Sequence, residues 1–310
     1  MSNRLINMCK NFVTDPLTRW LYMSKAGCFK HMDDRKYIEK LCKIKLGYTP
    51  DLDNPKTYCE KLNWLKLYNR KPEYTMMVDK YLVKEYVAER VGAEHVVPLL
   101  GAWDRFEDID FNVLPDQFVL KCNHDGGPVI IKDKSKIDQK ALKKLFNKKM
   151  KEDYFQMSRE WPYKNVKHKI IAEEYLPTLG ARDSVEYKIT CCNGKVKMIT
   201  VCTGIAHAEF EKRNNDHFDI NWEQYPFYAY YKPSGKKIER PVYLDELVEF
   251  AEKLADGIPC IRVDCYVQNN KIYFGELTFF TWGGFIEFTP PEWDQIMGEW
   301  IELPPKFNEK

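Results

Sequence analysis

Cys260-Ile261-Arg262-Val263-Asp264-Cys265-Tyr266-Val267-Gln268-Asn269-Asn270-Lys271-Ile272-Tyr273-Phe274-Gly275-Glu276-Leu277-Thr278-Phe279 is the stretch on which the reading of this chain turns. Strand alternation puts Ile261, Val263, Cys265 and Val267 on one face and Arg262, Asp264 and Tyr266 on the other. A two-residue loop at Asn269-Asn270 would set Asp264 against Gly275 and mix apolar with charged groups. A three-residue loop, Asn269-Asn270-Lys271, pairs Val263 with Leu277, Ile261 with Phe279 and Val267 with Tyr273, which makes one coherent apolar face. That register sets Asp264 opposite Glu276 and Arg262 opposite Thr278. Two carboxylates facing each other across strands repel, so they need a shared proton or a cation between them. Oxygen ligands beside the Thr278 hydroxyl suit Mg²⁺, which keeps waters and substrate phosphates as its other ligands. Pairing of Arg262 with one acid, or a different register, would remove the need for a metal.

Upstream, apolar spacing predicts a helix from Leu244 to Ala255, and Asn193-Gly194 between alternating segments is the strongest hairpin signal in the chain. A two-residue turn there puts Glu186 and Lys188 on one face, across from Val201 and Ile199. Val96 to Leu100, Gln117 to Lys121, Val129 to Lys132 and Lys169 to Leu176 read as strands. The first third reads helical. Asp33-Asp34 caps a helix ending near Gly47, Asn54-Pro55 opens a second, and a third runs from about Val78 to Val91 and stops at Gly92. Helices first, then strands mixed with helices, indicate an α+β or α/β chain with a predominantly antiparallel C-terminal sheet.

Phe118-Val119-Leu120-Lys121 runs into Cys122-Asn123-His124-Asp125-Gly126-Gly127, a strand ending in lysine and then a flexible turn whose N–H groups can approach phosphate. The order of a P-loop is absent. Cys122 and His124 would sit roughly 6.5 Å apart on an extended strand, too far for a nucleophile pair. The acids and apolar groups of Ala172 to Leu176 are the mixture an adenosine pocket needs.

The totals bound the rest. With 310 residues, 48 Lys+Arg against 46 Asp+Glu and a net charge of +2, the chain can bury a sizeable core, and it makes no general electrostatic case for nucleic acid. The run Lys143, Lys144, Lys148, Lys149 and Lys151 reads as the solvated face of a helix. Ten cysteines without Cys-x-x-Cys spacing suit a reducing cytoplasm better than a zinc site or disulfide framework. His207 and His217 lack metal-ligand spacing. Lys10, Arg19, Lys25 and Lys30 among Leu5, Phe12, Trp20 and Phe29 could lie on a membrane surface or pack on the body; polar residues interrupt the N-terminal stretch, so it is expected neither to span a membrane nor to act as a signal peptide.

Read together, Pro55-Lys56-Thr57, Glu60-Lys61-Leu62, Asp79-Lys80, Lys121-Cys122-Asn123-His124, Arg159-Glu160-Trp161-Pro162-Tyr163, Ala172-Glu173-Glu174-Tyr175, Tyr187-Lys188, Arg262-Val263-Asp264 and Phe274 to Phe279 resemble the TupA-like branch of the ATP-grasp superfamily. The resemblance implies an α+β ATP-grasp fold: a helical region over 1–95, a lid-type subdomain over 96–176, and a C-terminal core over 177–310, with antiparallel sheets enclosing a nucleotide cleft. It implies ATP and Mg²⁺ as cofactors, with Lys80, Lys121, Asp125, Gly126, Gly127, Lys132, Glu173, Glu174, Tyr175, Leu176 and Glu186 about the nucleotide. Asp264, Glu276 and Thr278 match the metal position, although many relatives have Asn in place of Thr278 and a Gly-Ser-Gly turn in place of Asp125-Gly126-Gly127. Arg262, Lys188 and His124 are the expected catalytic groups. The branch is associated with surface-polysaccharide synthesis, including teichuronopeptide. That association implies an ADP-forming ligase joining a uronic-acid carboxylate, on a glycan or lipid-linked precursor, to an amino-acid amine. It also implies a cytoplasmic location, peripheral to the membrane where the acceptor is lipid-linked. The alternatives are a glycosyltransferase, for which Asp108-Ile109-Asp110 supplies an Asp-x-Asp, and a non-catalytic carbohydrate-binding module.

Overall fold

The computed structural model describes residues 12–177, 185–204 and 212–307. Helix α1 is Pro16–Lys25 and α2 is Asp34–Leu46, the latter capped by Asp33 and closed by Gly47 at φ 81°. Helix α3, Tyr58–Tyr68, begins later than Asn54-Pro55 suggested. Thr57 and Glu60 form a capping box that satisfies the first backbone donors reciprocally, and this fixes the start. The helix expected over 78–91 is two: α4, Glu73–Val78, and α5, Val83–Val91. Asp79 separates them in an extended conformation, with Oδ1 accepting from the N–H groups of Tyr81 and Leu82 at 2.8 and 3.3 Å.

Strands β1 (Leu99–Trp103), β2 (Phe118–Cys122), β3 (Val129–Ile131) and β4 (Ile170–Glu174) form an antiparallel sheet in the order β1-β4-β2-β3. Phe118, Leu120, Ile170 and Ala172 bury one of its faces with Phe106 and with Phe146 of helix α6, Gln139–Lys149. Helix α7 is Tyr154–Ser158. The second sheet takes β5 (Glu186–Cys192), β6 (Lys195–Thr203), β7 (Asn214–Phe218), β9 (Cys260–Gln268) and β10 (Lys271–Thr278), ordered β10-β9-β5-β6-β7. A short pair, β8 (Tyr228–Ala229) and β11 (Phe288–Thr289), lies apart from it. Ile189, Cys191, Ile261, Val263 and Cys265 bury one face of the larger sheet in a core shared with Leu247, Phe250 and Leu254 of helix α8 (Leu244–Ala255) and with residues of α3 to α5. Helix α9, Glu292–Glu299, closes the chain's ordered elements. Among the described residues no helix is long and apolar enough to cross a membrane.

The hairpin β9–β10 departs from the expected loop. Gln268 pairs with Lys271, so the turn is the two residues Asn269-Asn270, at φ 53° and 59°. Val267 therefore faces Ile272 rather than Tyr273. A bulge at Gly275 then shifts the register by one, restoring Asp264 opposite Glu276, Val263 opposite Leu277 and Arg262 opposite Thr278. The hairpin β5–β6 closes on Asn193-Gly194 but is also bulged, at Lys197, so Lys188 faces Thr200 and Glu186 faces Cys202, not Ile199 and Val201.

Candidate active site

The register of the larger sheet lays one polar row across five strands: Glu276, Asp264, Lys188, Thr200 and His217 are successive cross-strand partners. Asp264 is fully buried. Its carboxylate accepts from Lys188 Nζ at 2.6 Å and from Arg262 Nε and Nη2 at 2.5 and 2.7 Å. Glu276 meets Lys80 Nζ at 3.1 Å and Arg262 Nη2 at 3.5 Å. Burial alone would raise Glu276, but the charges of Lys80, Arg262 and Lys188 outweigh it and hold the carboxyl well below the usual range. The repulsion anticipated between the two acids is thus answered by three cations. Thr278 Oγ1 donates to Glu276 at 3.2 Å and accepts from Arg262. Lys188 also meets Glu186 at 2.9 Å.

Two cavities border this row, one at each end. One, of about 170 Å³, lies between the sheets and is lined by Lys80, Lys84, Lys121, Asp125 to Gly127, Glu173, Glu174 and Glu276. Glu173 is clamped by Lys84 Nζ at 2.7 Å and Lys121 Nζ at 2.6 Å; these lysines overcome the effect of burial and lower its pKa. Lys80 enters because the break at Asp79 turns the chain out of α4, and its N–H donates to the Asn123 carbonyl at 2.9 Å. The other cavity, of about 440 Å³, lies over the opposite part of the row and is lined by Glu186, Lys188, Arg262 and Thr278 together with many aromatic groups.

Several expected groups sit elsewhere. His124 is buried, lines neither cavity, and stacks on His168 with ring centroids 3.5 Å apart. Burial first, and then the His168 ring, push it down to about 4, so at neutral pH it is an uncharged packing group. Lys132 is exposed and lines a depression between β3 and α6. Tyr175 and Leu176 follow β4 and line neither cavity. His207 lies outside the described residues. Lys149, read as part of a solvated run, instead binds Asp125 Oδ2 at 2.6 Å and the Gly127 carbonyl at 2.9 Å, fastening the glycine turn to α6. Lys84 and Trp282 went unrecognised, and Glu160 and Tyr163 of the larger cavity stood within a quoted motif without a role; only the four-residue step from Lys80 to Lys84 hinted at the first.

A family model described as TupA-like ATP-grasp matches residues 60–302. The chain belongs to the TupA-like ATP-grasp family. Its two antiparallel sheets and helices are the α+β architecture of the ATP-grasp superfamily. No curated protein matches the chain. Among solved structures it is similar to a D-alanine–D-alanine ligase from Bacillus anthracis complexed with ATP, at 19% identity and TM-score 0.39, over 66% of this chain and 55% of that one. It is similar to the D-cycloserine synthetase DcsG at 11% identity and TM-score 0.40, over 72% and 69%. A third is the ATP-grasp ligase PsnB complexed with minimal precursor, Mg and ADP, at 12% identity and TM-score 0.37, over 83% and 66%. The matched part spans little more than half the length of the alanine ligase, and likenesses this loose transfer no chemistry.

ATP and Mg²⁺ are the cofactors of the superfamily; Glu276 and Thr278 offer oxygens to the metal, whereas both Asp264 oxygens are taken by Lys188 and Arg262, the pairing that removes the need for a metal between the two acids. Glu276 is held ionised with its side chain 34% exposed, and it lines the smaller cavity. Among the described residues no group of three or more His, Cys, Asp or Glu gathers as a closed metal cage. Glu276 and Thr278 would hold an ion, with Asp264 joining them only if Lys188 and Arg262 released it, and the bound ion would neutralise phosphate charge.

Proposed function

We propose that the chain is an ADP-forming ligase that activates a carboxylate with ATP and joins it to an amine. The observation that supports this reading is that two cavities border the row Glu276–Asp264–Lys188 from its two ends. One cavity is lined by lysines and a glycine turn, the other by Arg262, Lys188 and apolar groups. Lys80 and Lys121 would neutralise the phosphates. A carboxylate entering from the larger cavity would attack the γ-phosphorus, its oxygen forming the new P–O bond as ADP leaves. Arg262 lines that cavity and is positioned to stabilise the oxyanion formed when the amine displaces phosphate. Acceptor and donor are proposed to be a uronic-acid carboxylate of a surface polysaccharide or its precursor and an amino acid. This finer statement rests on the motif resemblance alone. The glycosyltransferase alternative loses its motif: Asp108 is paired with Arg105 at 2.5 Å, and neither Asp108 nor Asp110 lines either cavity.

The test is ADP release across glycuronates paired with amino acids, with mass detection of the amide. Glu276→Gln should abolish Mg²⁺-dependent turnover while Mg²⁺-independent stability is nearly kept. Turnover equal to that of the unmodified chain would remove Glu276 from the site, and turnover with nucleotide-sugars alone would replace the ligase by a transferase.

A further inference from the structure

The larger cavity has two acids in its lining, and they are used differently. Glu186 is paired with Lys188 at 2.9 Å. Glu160 makes no ion pair among the described residues. Its Oε1 accepts from Ser158 Oγ at 2.6 Å, and the residue lines the cavity. The buried cation nearest in influence, Lys66, draws the Glu160 pKa down through space but forms no direct ion pair with it. Lys66 is fully buried, and its Nζ is spent on Asn63 Oδ1 and the Ser158 carbonyl, each at 2.9 Å, and on the Gly283 carbonyl. Burial pushes that ammonium down to about 7. Glu160 therefore presents an anion to a space walled by Tyr154, Tyr163, Phe280 and Trp282. Carboxylate and aromatic faces together suit a cation, and a small one with N–H groups best. Burial raises the Glu160 pKa against the opposing pull of the Lys66 and Lys45 charges and the Ser158 hydrogen bond, and the Glu276 charge adds to the rise.

We propose that Glu160 binds the ammonium group of the amine substrate at the aromatic end of the larger cavity and accepts its proton. The proposal rests on the ligase reading. In that reaction Oε2 takes one proton from the ammonium, and the freed nitrogen lone pair forms the C–N bond at the acyl-phosphate carbon. The C–O bond to phosphate then breaks, and the second nitrogen proton leaves on phosphate. Glu160, now neutral, returns its proton to water. A carboxyl with a raised pKa is suited to accept a proton near neutral pH.

The experiment uses the full chain loaded with Mg²⁺-ATP and needs no knowledge of the natural substrate. It is titrated with glycinamide, which has an ammonium and no carboxylate, and with acetamide, which has neither, following tryptophan fluorescence through Trp282. Glycinamide should saturate and acetamide should not. Glu160→Gln should weaken glycinamide by about tenfold or more, the worth of one charge-assisted hydrogen bond, and Glu160→Asp should recover part of it. Binding by the unmodified chain should fade as pH drops through the carboxyl's raised range, which a packing role would not produce. Equal affinity in Glu160→Gln, or no preference for glycinamide over acetamide, overturns the proposal. Failure of the unmodified chain to bind Mg²⁺-ATP would sink the ligase reading separately, because the glycinamide comparison is scored with or without nucleotide.

Discussion

Hairpins β5–β6 and β9–β10 close on similar turns, Asn193-Gly194 at φ 52° and 75° and Asn269-Asn270 at φ 53° and 59°, and each carries one bulge. The bulges do different things. In β5–β6 the extra residue, Lys197, leaves Glu186 and Lys188 on their face and changes only their partners, to Cys202 and Thr200. In β9–β10 the extra residue, Gly275, decides which face Glu276 occupies. Without it the two-residue turn would set Glu276 against Val263 and send the acid into the apolar core, because a one-residue slip exchanges the faces of a strand. A two-residue asparagine turn thus builds scaffold in one hairpin and, corrected by one glycine, a cation site in the other.

The largest expected effect lies on the hairpin whose bulge is indispensable. Asp264→Asn leaves Lys188 and Arg262 buried without their anion, which should cost about 3–5 kcal/mol in denaturant unfolding as well as turnover. Glu276→Gln, at the partly open end of the row, should cost about 1 kcal/mol. Equal losses would mean that the two acids are not held as differently as their burial indicates.

The next effect belongs to the other hairpin. His217 on β7 faces Thr200 of β6, with Nδ1 2.9 Å from Thr200 Oγ1, and stacks on Phe227. Burial pushes it from 6.5 to about 4, so folding favours the neutral ring. An unfolded histidine takes up a proton first, so this contribution to stability is complete above about pH 6.5 and is lost as pH falls toward about 4. It is worth up to about 3 kcal/mol. His217→Phe keeps the stack and removes the titration, so unfolding free energy measured from pH 7 to 4 should fall less steeply than in the unmodified chain. An unchanged slope would assign the acid sensitivity to another group, with His124 the next to test.

The physical reach of each signal explains what could be read in the chain itself. Alternation along Ile261 to Val267 and the left-handed preference of Asn and Gly are local, so the faces, the Asn193-Gly194 turn and the helix closed by Gly47 were legible. Bulges are not local: Gly275 is required by the carbonyl of Asp264 across the strand, a contact with no counterpart in neighbouring sequence. The acid pair was found by way of an incorrect loop, because burial of one face demanded the right pairing even when the turn was misjudged. Lys84, Lys149 and Glu160 stayed hidden for the same reason. Lys149 is the last residue of a helix that looked solvated, and only the fold brings Asp125 to it. Glu160 stands out only because Lys66, distant in sequence, is spent on two carbonyls and an amide.

The smallest effects separate the two hairpins most cleanly. A Cβ added at Gly275 would lie 2.9 Å from the Asp264 carbonyl oxygen and 3.0 Å from the Tyr266 ring, so one of the strands must move. Gly275→Ala should cost about 1–3 kcal/mol as overpacking, and should also weaken Mg²⁺-ATP, since the shift falls on the backbone that presents both acids. A Cβ at Gly194 meets nothing nearer than 3.8 Å, so Gly194→Ala carries only the strain of φ 75°, about 1 kcal/mol. Its nucleotide affinity should match that of the unmodified chain, because the turn lies at the far end of β5 from Glu186 and Lys188. Unfolding midpoints and nucleotide titrations on the two variants give both readings at once. If Gly194→Ala weakened Mg²⁺-ATP as much as Gly275→Ala, the bulge would have no special part in placing the acids, and the site would instead depend on the stiffness of the whole sheet.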